Sequence, residues 1–151
     1  MTLDLSSLET AINAMDALMQ RLHDNKLLQS LDKVTIDGLK SGMIQHFEFT
    51  YELCWKFIQR WIKTNKTPEE ADHPRTRKEL FRIAAKYGLI THPEAWFKYG
   101  DARNLTAHTY DEATAQIVYA VTADFLSDAK QLLEALKQRN DWYRTRTPNF
   151  N

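Results

Sequence analysis

The chain has 151 residues, enough for one domain whose hydrophobic core needs neither disulfides nor a structural metal. Hydrophobic residues make up 43% of it and aromatic residues 11%, which is too rich in bulky side chains for an intrinsically disordered protein. The formal net charge is +0, from 20 basic and 20 acidic residues, so any nucleic-acid contact requires a local patch and not an overall basic surface.

The single cysteine, Cys54, lies in a predicted buried helix and has no partner for an internal disulfide, which fits a reducing compartment. The N-terminus lacks a basic region followed by an apolar one, and no window holds about 18 uninterrupted apolar residues. We therefore expect neither export nor membrane insertion, and we predict a cytoplasmic protein.

Helical periodicity dominates the chain, which has only four glycines and four prolines. Apolar residues recur at steps of three and four over residues 5–28, and this predicts a first amphipathic helix. After a polar turn around Asp32, a second stripe over residues 36–62 predicts a long central helix. Gly38 and Gly42 lie four residues apart near its start, a spacing that favours close packing against another helix.

Proline and threonine mark the predicted starts of the shorter helices. Residues 67–70 (Thr-Pro-Glu-Glu) predict one short helix, and Pro74 is predicted to begin another. Gly88 is predicted to end that helix, because glycine readily adopts the backbone conformation that follows a helix C-terminus. Thr91, followed three residues later by Glu94, predicts the cap of the next helix.

The last helix is predicted from a second capping pattern, Thr109 with Glu112, and is expected to begin near Tyr110. Periodicity is lost near the C-terminus, so residues 141–151 are predicted to be a flexible tail. Together these elements predict a single all-α domain spanning residues 1–151. Its expected architecture is an up-and-down bundle of about five helices with a four-helix-bundle core.

The polar residues 103–110 form the main candidate site. Arginine binds phosphate through a planar fork of donors, and histidine transfers protons near neutral pH. Asn104 and His108 share one helix face, whereas Arg103 and His108 are separated by about 140° around an ideal helix. Their convergence requires a bend at the helix junction or a twofold dimer. A surface arginine and a histidine at a helix junction would give the same pattern without any function.

Two charged surfaces are further candidates for contact with a substrate. Glu48, Glu52 and Lys56 are spaced by four, so they form either a solvated ladder or a face that contacts residues 103–110 or a dimer partner. A basic face could contact RNA phosphates or serve solubility alone; it consists of Arg75, Arg77, Lys78 and Arg82.

Aromatic side chains exceed what one small bundle is expected to bury, which predicts a dimer or partner interface. The residues concerned are Tyr51, Trp55, Trp61 and Trp96. Histidines 23, 46, 73 and 92 show no metal-ligand spacing with one another or with Cys54, so no metal site is predicted.

The sequence resembles the HEPN superfamily, and within it the bacterial branch of nucleotidyltransferase substrate-binding proteins, which are encoded beside a minimal nucleotidyltransferase. The HEPN signature is an arginine followed by a polar residue and, a few positions later, a histidine, and Arg103, Asn104 and His108 match it. The branch also has blocks like residues 45–56, Pro74-Arg75 and residues 96–112. The resemblance covers most of the chain.

The resemblance implies one of two functions. Members with an intact motif can act as metal-independent endoribonuclease toxins, working as homodimers with both motifs at the subunit interface. Arg103, Asn104 and His108 would then be the catalytic residues. The minimal nucleotidyltransferase is the antitoxin in such systems and can transfer AMP to the tyrosine two residues after the histidine, here Tyr110. Other members are described only as the helical subunit that binds the substrate of a two-component nucleotidyltransferase.

The sequence contains no Gly-rich phosphate-binding loop, and no Gly-Ser pair followed by spaced acids such as a nucleotidyltransferase needs. We therefore expect the transferase chemistry to reside in the partner chain. No cofactor is predicted, and the expected ligand is RNA or a nucleotide.

Overall fold

The computed structural model describes residues 3–66 and 76–146, with side chains described as far as Asn140. Within these residues the chain forms six α-helices: α1 (Ser6–Leu22), α2 (Asn25–Gln29), α3 (Lys33–Asn65), α4 (Arg77–Lys86), α5 (Pro93–Leu105) and α6 (Glu112–Arg146). A 3₁₀ turn, Thr106–His108, lies between α5 and α6. The all-α bundle confirms the predicted fold class. The helix starts predicted at residues 67–70 and at Pro74 lie outside the described residues.

Helices α1, α3 and α6 pack side by side, while α4 and α5 pack on each other and against α3, and α5 also packs against α6. Aromatic rings fill the space between these two groups. The ring of Phe125 on α6 lies 5.0 Å from that of Phe47, 5.9 Å from that of Trp96 and 5.4 Å from that of Tyr99, each edge-on. Edge-to-face packing of this kind stabilises a core beyond the area that it buries. Cys54 is fully buried beside these rings, as predicted.

The predicted surplus of exposed aromatic rings is wrong. Tyr51, Trp61 and Trp96 are 0%, 6% and 2% exposed, because α4 and α5 cover the aromatic side of α3. Trp55 alone of that set is partly exposed. The large apolar side chains that do face solvent are different ones, namely Val34, Phe49, Tyr110 and Ile117.

The first helix is shorter than predicted. It ends at Leu22, and a separate short helix follows because Asp24 caps α2, its carboxylate accepting from the backbone N–H of Leu27 at 3.1 Å. Near the start of α3, an added Cβ at Gly42 would lie 3.7 Å from Leu18, an ordinary contact, and nothing lies within 4 Å of one at Gly38. The close packing predicted from these two glycines is therefore absent.

Two predicted helix caps are also wrong. Pro93 is the first residue of α5, since its missing N–H and fixed φ suit that position, so His92 and not Thr91 precedes the helix. The 3₁₀ turn delays the start of α6, so Asp111 and not Thr109 caps it, accepting from the Thr114 N–H at 3.2 Å. Gly88 does end α4 as predicted, with φ of +76°.

At the C-terminus α6 continues to Arg146, and residues 147–151 lie outside the described residues. The flexible tail over residues 141–151 therefore stays a prediction. Among the helices that the structure describes, none is both long and apolar enough to span a membrane.

Candidate functional site

The candidate motif crosses the junction between α5 and α6, as its sequence predicted. Tyr99 is buried on α5, and Arg103 follows it one helical turn later, so the arginine lies at the edge of the bundle with its side chain 27% exposed. Asn104 and His108 are both exposed. The junction therefore presents one half-buried cation and two accessible polar groups.

All three nitrogens of the Arg103 guanidinium are engaged within the chain. The Nε donates to Oε1 of Glu52 at 2.9 Å, and Nη1 donates to Oγ1 of Thr106 at 3.2 Å. The Nη2 forms an ion pair with Oε1 of Glu48 at 3.5 Å. Glu48 and Glu52 reach the same arginine because they lie one turn apart on α3. The longest of these contacts is the ion pair at Nη2 and is therefore the weakest of the three.

Glu52 accepts four hydrogen bonds from three side chains. Arg77 donates from Nη1 to Oε1 at 3.1 Å and from Nη2 to Oε2 at 3.3 Å, while Trp55 donates from Nε1 to Oε2 at 2.8 Å. The fourth bond comes from Arg103. Burial raises the pKa of Glu52, but the donors and positive charges around it outweigh that effect and hold the pKa below its ordinary value. Glu52 is therefore a carboxylate that positions two arginines.

His108 has a different environment. Its ring makes an edge-on contact with the ring of Tyr110, 6.1 Å between centroids, and both side chains are exposed. Within residues 3–66 and 76–146, no hydrogen bond or ion pair joins His108 to Arg103. The bend at the junction thus leaves the two residues with separate partners, and their convergence across a dimer stays a prediction.

The other predicted binding residues fall on two surfaces. Lys56 is exposed, with Nζ 5.9 Å from the Trp55 ring. Lys78 and Arg82 lie over the ring of Phe97, at 5.7 Å and 5.1 Å. Arg77 instead forms an ion pair with Glu52, and Glu48 forms one with Arg103 itself. Arg75 lies outside the described residues. In the described ranges, no three His, Cys, Asp or Glu side chains are grouped to hold a metal ion.

Thr106 was missing from the predicted site residues, and Glu52 was predicted only as a member of the charged ladder on the second helix. The spacing of Glu48 and Glu52 placed both on one helix face, but spacing could not tell which helix that face would meet. Thr106 gave no signal, because its role depends on the 3₁₀ turn that brings its hydroxyl back toward Arg103. Because both acids contact Arg103, the charged ladder is a face that contacts residues 103–110 and not a purely solvated one.

Comparison with known proteins identifies relatives over almost the whole chain. A curated protein of Haemophilus influenzae named "Probable ribonuclease HepT" is 34% identical over 140 residues, which cover 93% of this chain and 96% of that protein. A solved structure from the same species, described as the fold of a substrate binding domain of a nucleotidyltransferase, superposes with a TM-score of 0.83 at 33% identity, covering 89% of this chain and 99% of that one.

A structure from Thermus thermophilus is similar with a TM-score of 0.62 at 25% identity, covering 83% of this chain and 98% of that one. The family model described as "Nucleotidyltransferase substrate binding protein like" matches residues 3–138. These matches confirm the resemblance found in the sequence. The chain belongs to the nucleotidyltransferase substrate-binding protein family.

Proposed function

We propose that this protein is a metal-independent endoribonuclease of the toxin type, which acts as a homodimer and pairs with a minimal nucleotidyltransferase. The observation that carries the proposal is the arrangement at the α5–α6 junction, where a positioned Arg103 lies five residues before an exposed histidine. The 34% identity to a protein named as a probable ribonuclease supports the same activity.

The reaction is an attack of a ribose 2′-oxygen on the adjacent phosphorus. A bond forms between these two atoms and the bond to the 5′-oxygen breaks, leaving a cyclic phosphate and a 5′-hydroxyl. His108 removes the proton of the 2′-hydroxyl or donates a proton to the leaving oxygen. Arg103 stabilises the charge of the phosphorane through Nη2, and Asn104 donates from its amide to a phosphate oxygen.

The reaction needs both a base and an acid, and each chain has one motif histidine, His108. We therefore propose that two chains contribute one His108 each. Val34, Phe49 and Ile117 are apolar and at least 57% exposed, and a homodimer would shield them. Ile117 lies close in sequence to His108, which would place two copies of the motif near one interface.

The test is cleavage of labelled RNA by the purified dimer in the presence of EDTA. His108→Ala and Arg103→Ala should each lower the rate at least about a hundredfold. The matched control is His92→Ala, because His92 is also exposed and makes no cap hydrogen bond with its side chain. Cleavage that persists unchanged in the His108 and Arg103 variants would refute the ribonuclease.

A second candidate is a non-catalytic subunit that holds the substrate of the partner nucleotidyltransferase. The family description and the full engagement of Arg103 by Glu48, Glu52 and Thr106 favour this alternative. It predicts binding of the partner without any cleavage of RNA. Co-purification with the minimal nucleotidyltransferase, combined with inactivity toward RNA in its absence, would select this candidate.

Tyr110 is the proposed target of the partner. Its side chain is 88% exposed, so its hydroxyl is accessible to another protein. The phenol oxygen would attack the α-phosphorus of ATP, forming a phosphodiester to AMP and releasing pyrophosphate. Mass spectrometry after incubation with the partner and ATP should place one AMP on Tyr110 and none on the Tyr110→Phe variant. An adduct elsewhere, or none, would contradict this assignment.

A further inference from the structure

A cavity of about 460 Å³ opens beside Arg103, between α3, α4 and α5. This volume lies in the range of pockets that bind small molecules. Its lining includes the aromatic rings of Phe81, Trp96 and Phe97 together with Arg103 and Asn104. The cavity therefore joins an apolar slot to the polar residues of the candidate site.

Three cations and two carboxylates line the cavity, and Glu48, which is not among the lining residues, pairs with one of these cations, Arg103. Arg77, Lys78 and Arg103 line it together with the carboxylates of Glu52 and Asp101. Glu52 already accepts hydrogen bonds from both arginines, whereas Lys78 is exposed with its Nζ over the Phe97 ring. An anionic group at this edge would meet Lys78 and the outer face of the arginine pair.

A buried hydroxyl lies on the wall of the same cavity. Tyr51 lines the cavity, but its side chain is 0% exposed and its hydroxyl oxygen is closed off from solvent, so the tyrosine shapes the cavity wall and offers no accessible polar group to a ligand. Next to it is Gly100, where an added Cβ would lie 2.9 Å from the Tyr51 oxygen. Only glycine leaves the hydroxyl and the cavity wall in their present positions.

We propose that this cavity binds the base of a nucleotide whose phosphate points toward Lys78 and Arg103. A planar base fits an aromatic-lined slot, and the phosphate meets the cations. A free nucleoside monophosphate and one residue of an RNA chain present the same chemistry. Assigning the nucleotide to RNA rests on the proposed ribonuclease function, in which this base would flank the scissile phosphate.

The test measures binding, so it does not depend on cleavage. The full chain is titrated calorimetrically with AMP, with ribose 5-phosphate, with inorganic phosphate and with a short oligonucleotide whose 2′-hydroxyls are replaced by hydrogen. AMP or the oligonucleotide should bind saturably, and ribose 5-phosphate should bind roughly tenfold more weakly or worse because it lacks the base. If the oligonucleotide binds more tightly than AMP, the cavity is a nucleic-acid site. If AMP binds more tightly than the oligonucleotide, it is a site for a free nucleotide.

Gly100→Ala narrows the cavity, and Gly38→Ala is its matched control, because both glycines lie in helices and nothing surrounds the added Cβ at Gly38. Since the methyl at residue 100 approaches the Tyr51 oxygen, the double variant Gly100→Ala with Tyr51→Phe removes that contact and protects the fold. Both Gly100 variants should bind the nucleotide roughly tenfold more weakly than wild type, and Gly38→Ala should bind it normally.

Three results would overturn the nucleotide site: no binding of AMP or the oligonucleotide, equal binding of AMP and ribose 5-phosphate, or normal binding by the folded double variant. Each of these results is compatible with His108-dependent RNA cleavage, so none of them would contradict the proposed ribonuclease function. Conversely, nucleotide binding that depends on Gly100, without any RNA cleavage, supports the cavity and removes the ribonuclease.

Discussion

Arg103 and His108 lie only five residues apart, yet the chain treats them in opposite ways. Arg103 is fixed on three sides by Glu48, Glu52 and Thr106, while the His108 side chain faces solvent with its ring edge-on to that of Tyr110. The fold thus sets the direction of the cation in advance and leaves the imidazole free to adjust. The position of Arg103 therefore depends on α3, whereas the position of His108 depends on the molecule that contacts the α5–α6 junction.

Replacing Glu52, which holds Arg103 in place, should have the largest effect on stability. Glu52→Ala removes the acceptor of four hydrogen bonds and leaves two arginines without their shared counter-ion. We expect the free energy of unfolding to fall by about 2 kcal/mol. Urea denaturation measures this, with Glu134→Ala as the control, because Glu134 is an exposed acid whose contact with Lys137 is 3.9 Å long. Equal losses in both variants would contradict a special role for Glu52.

Acid should weaken the interactions of Glu52 with its two arginines, with a smaller effect than the Glu52→Ala substitution. The donors around Glu52 lower its pKa in the folded chain below the ordinary 4.5, so its stabilising contribution is present above that pH and is lost as the pH falls through the folded-state value. The difference in unfolding free energy between wild type and Glu52→Gln should therefore narrow below about pH 4.5. Asp4 and Asp32 also have lowered pKa values, but they are present in both proteins and cancel. A difference that stays constant with pH would argue against this coupling.

Asp111 lies between the exposed His108 and the start of α6. Its carboxylate accepts from the backbone N–H and the hydroxyl of Thr114, at 3.2 Å and 2.8 Å. Asp111→Ala should cost about 1 kcal/mol as a lost N-cap and should speed hydrogen exchange of the first turn of α6. Asp111→Asn, which retains a capping oxygen, should restore most of the stability. Failure of Asn to do so would show that charge and not capping is involved.

Changes at His108 and Tyr110 should have the smallest effect on stability. Both side chains are exposed, and neither makes a hydrogen bond among the described residues. His108→Ala and Tyr110→Phe should each shift the unfolding free energy by less than about 0.5 kcal/mol. A loss close to that of Glu52→Ala would show that the histidine is held as firmly as the arginine, and the contrast between the two residues would disappear.

The sequence predicted the existence of the long helices because their signal is periodic, although it placed the end of the first helix at residue 28 and not at Leu22. The stripe on α3 and the stop at Gly88 were recognisable from residue types alone. The caps at Thr91 and Thr109 failed because a competing residue, Pro93 or Asp111, suited the local backbone better. Such competition is decided by one or two dihedral angles, which residue spacing does not contain.

The candidate site was predictable in its identity but not in its contacts. Arg103, Asn104 and His108 followed from a short motif and from a resemblance over most of the chain. The role of Glu52 and the cavity beside Gly100 depend on how α5 packs against α3. That packing is a long-range property, because the two helices are separated by about fifty residues of chain, as the interval between Glu52 and Arg103 indicates.

Tyr51 and Glu52 are neighbours in the chain, yet the first closes the core and the second holds Arg103. Because about 100° of rotation separates them on one stiff helix, a substitution that turns α3 displaces both side chains together. Tolerance to mutation on the inner face of α3 should therefore be narrower than packing alone requires. A repacked core could keep its full stability while Arg103 loses its alignment, and screens that select for folding alone would fail to detect this loss.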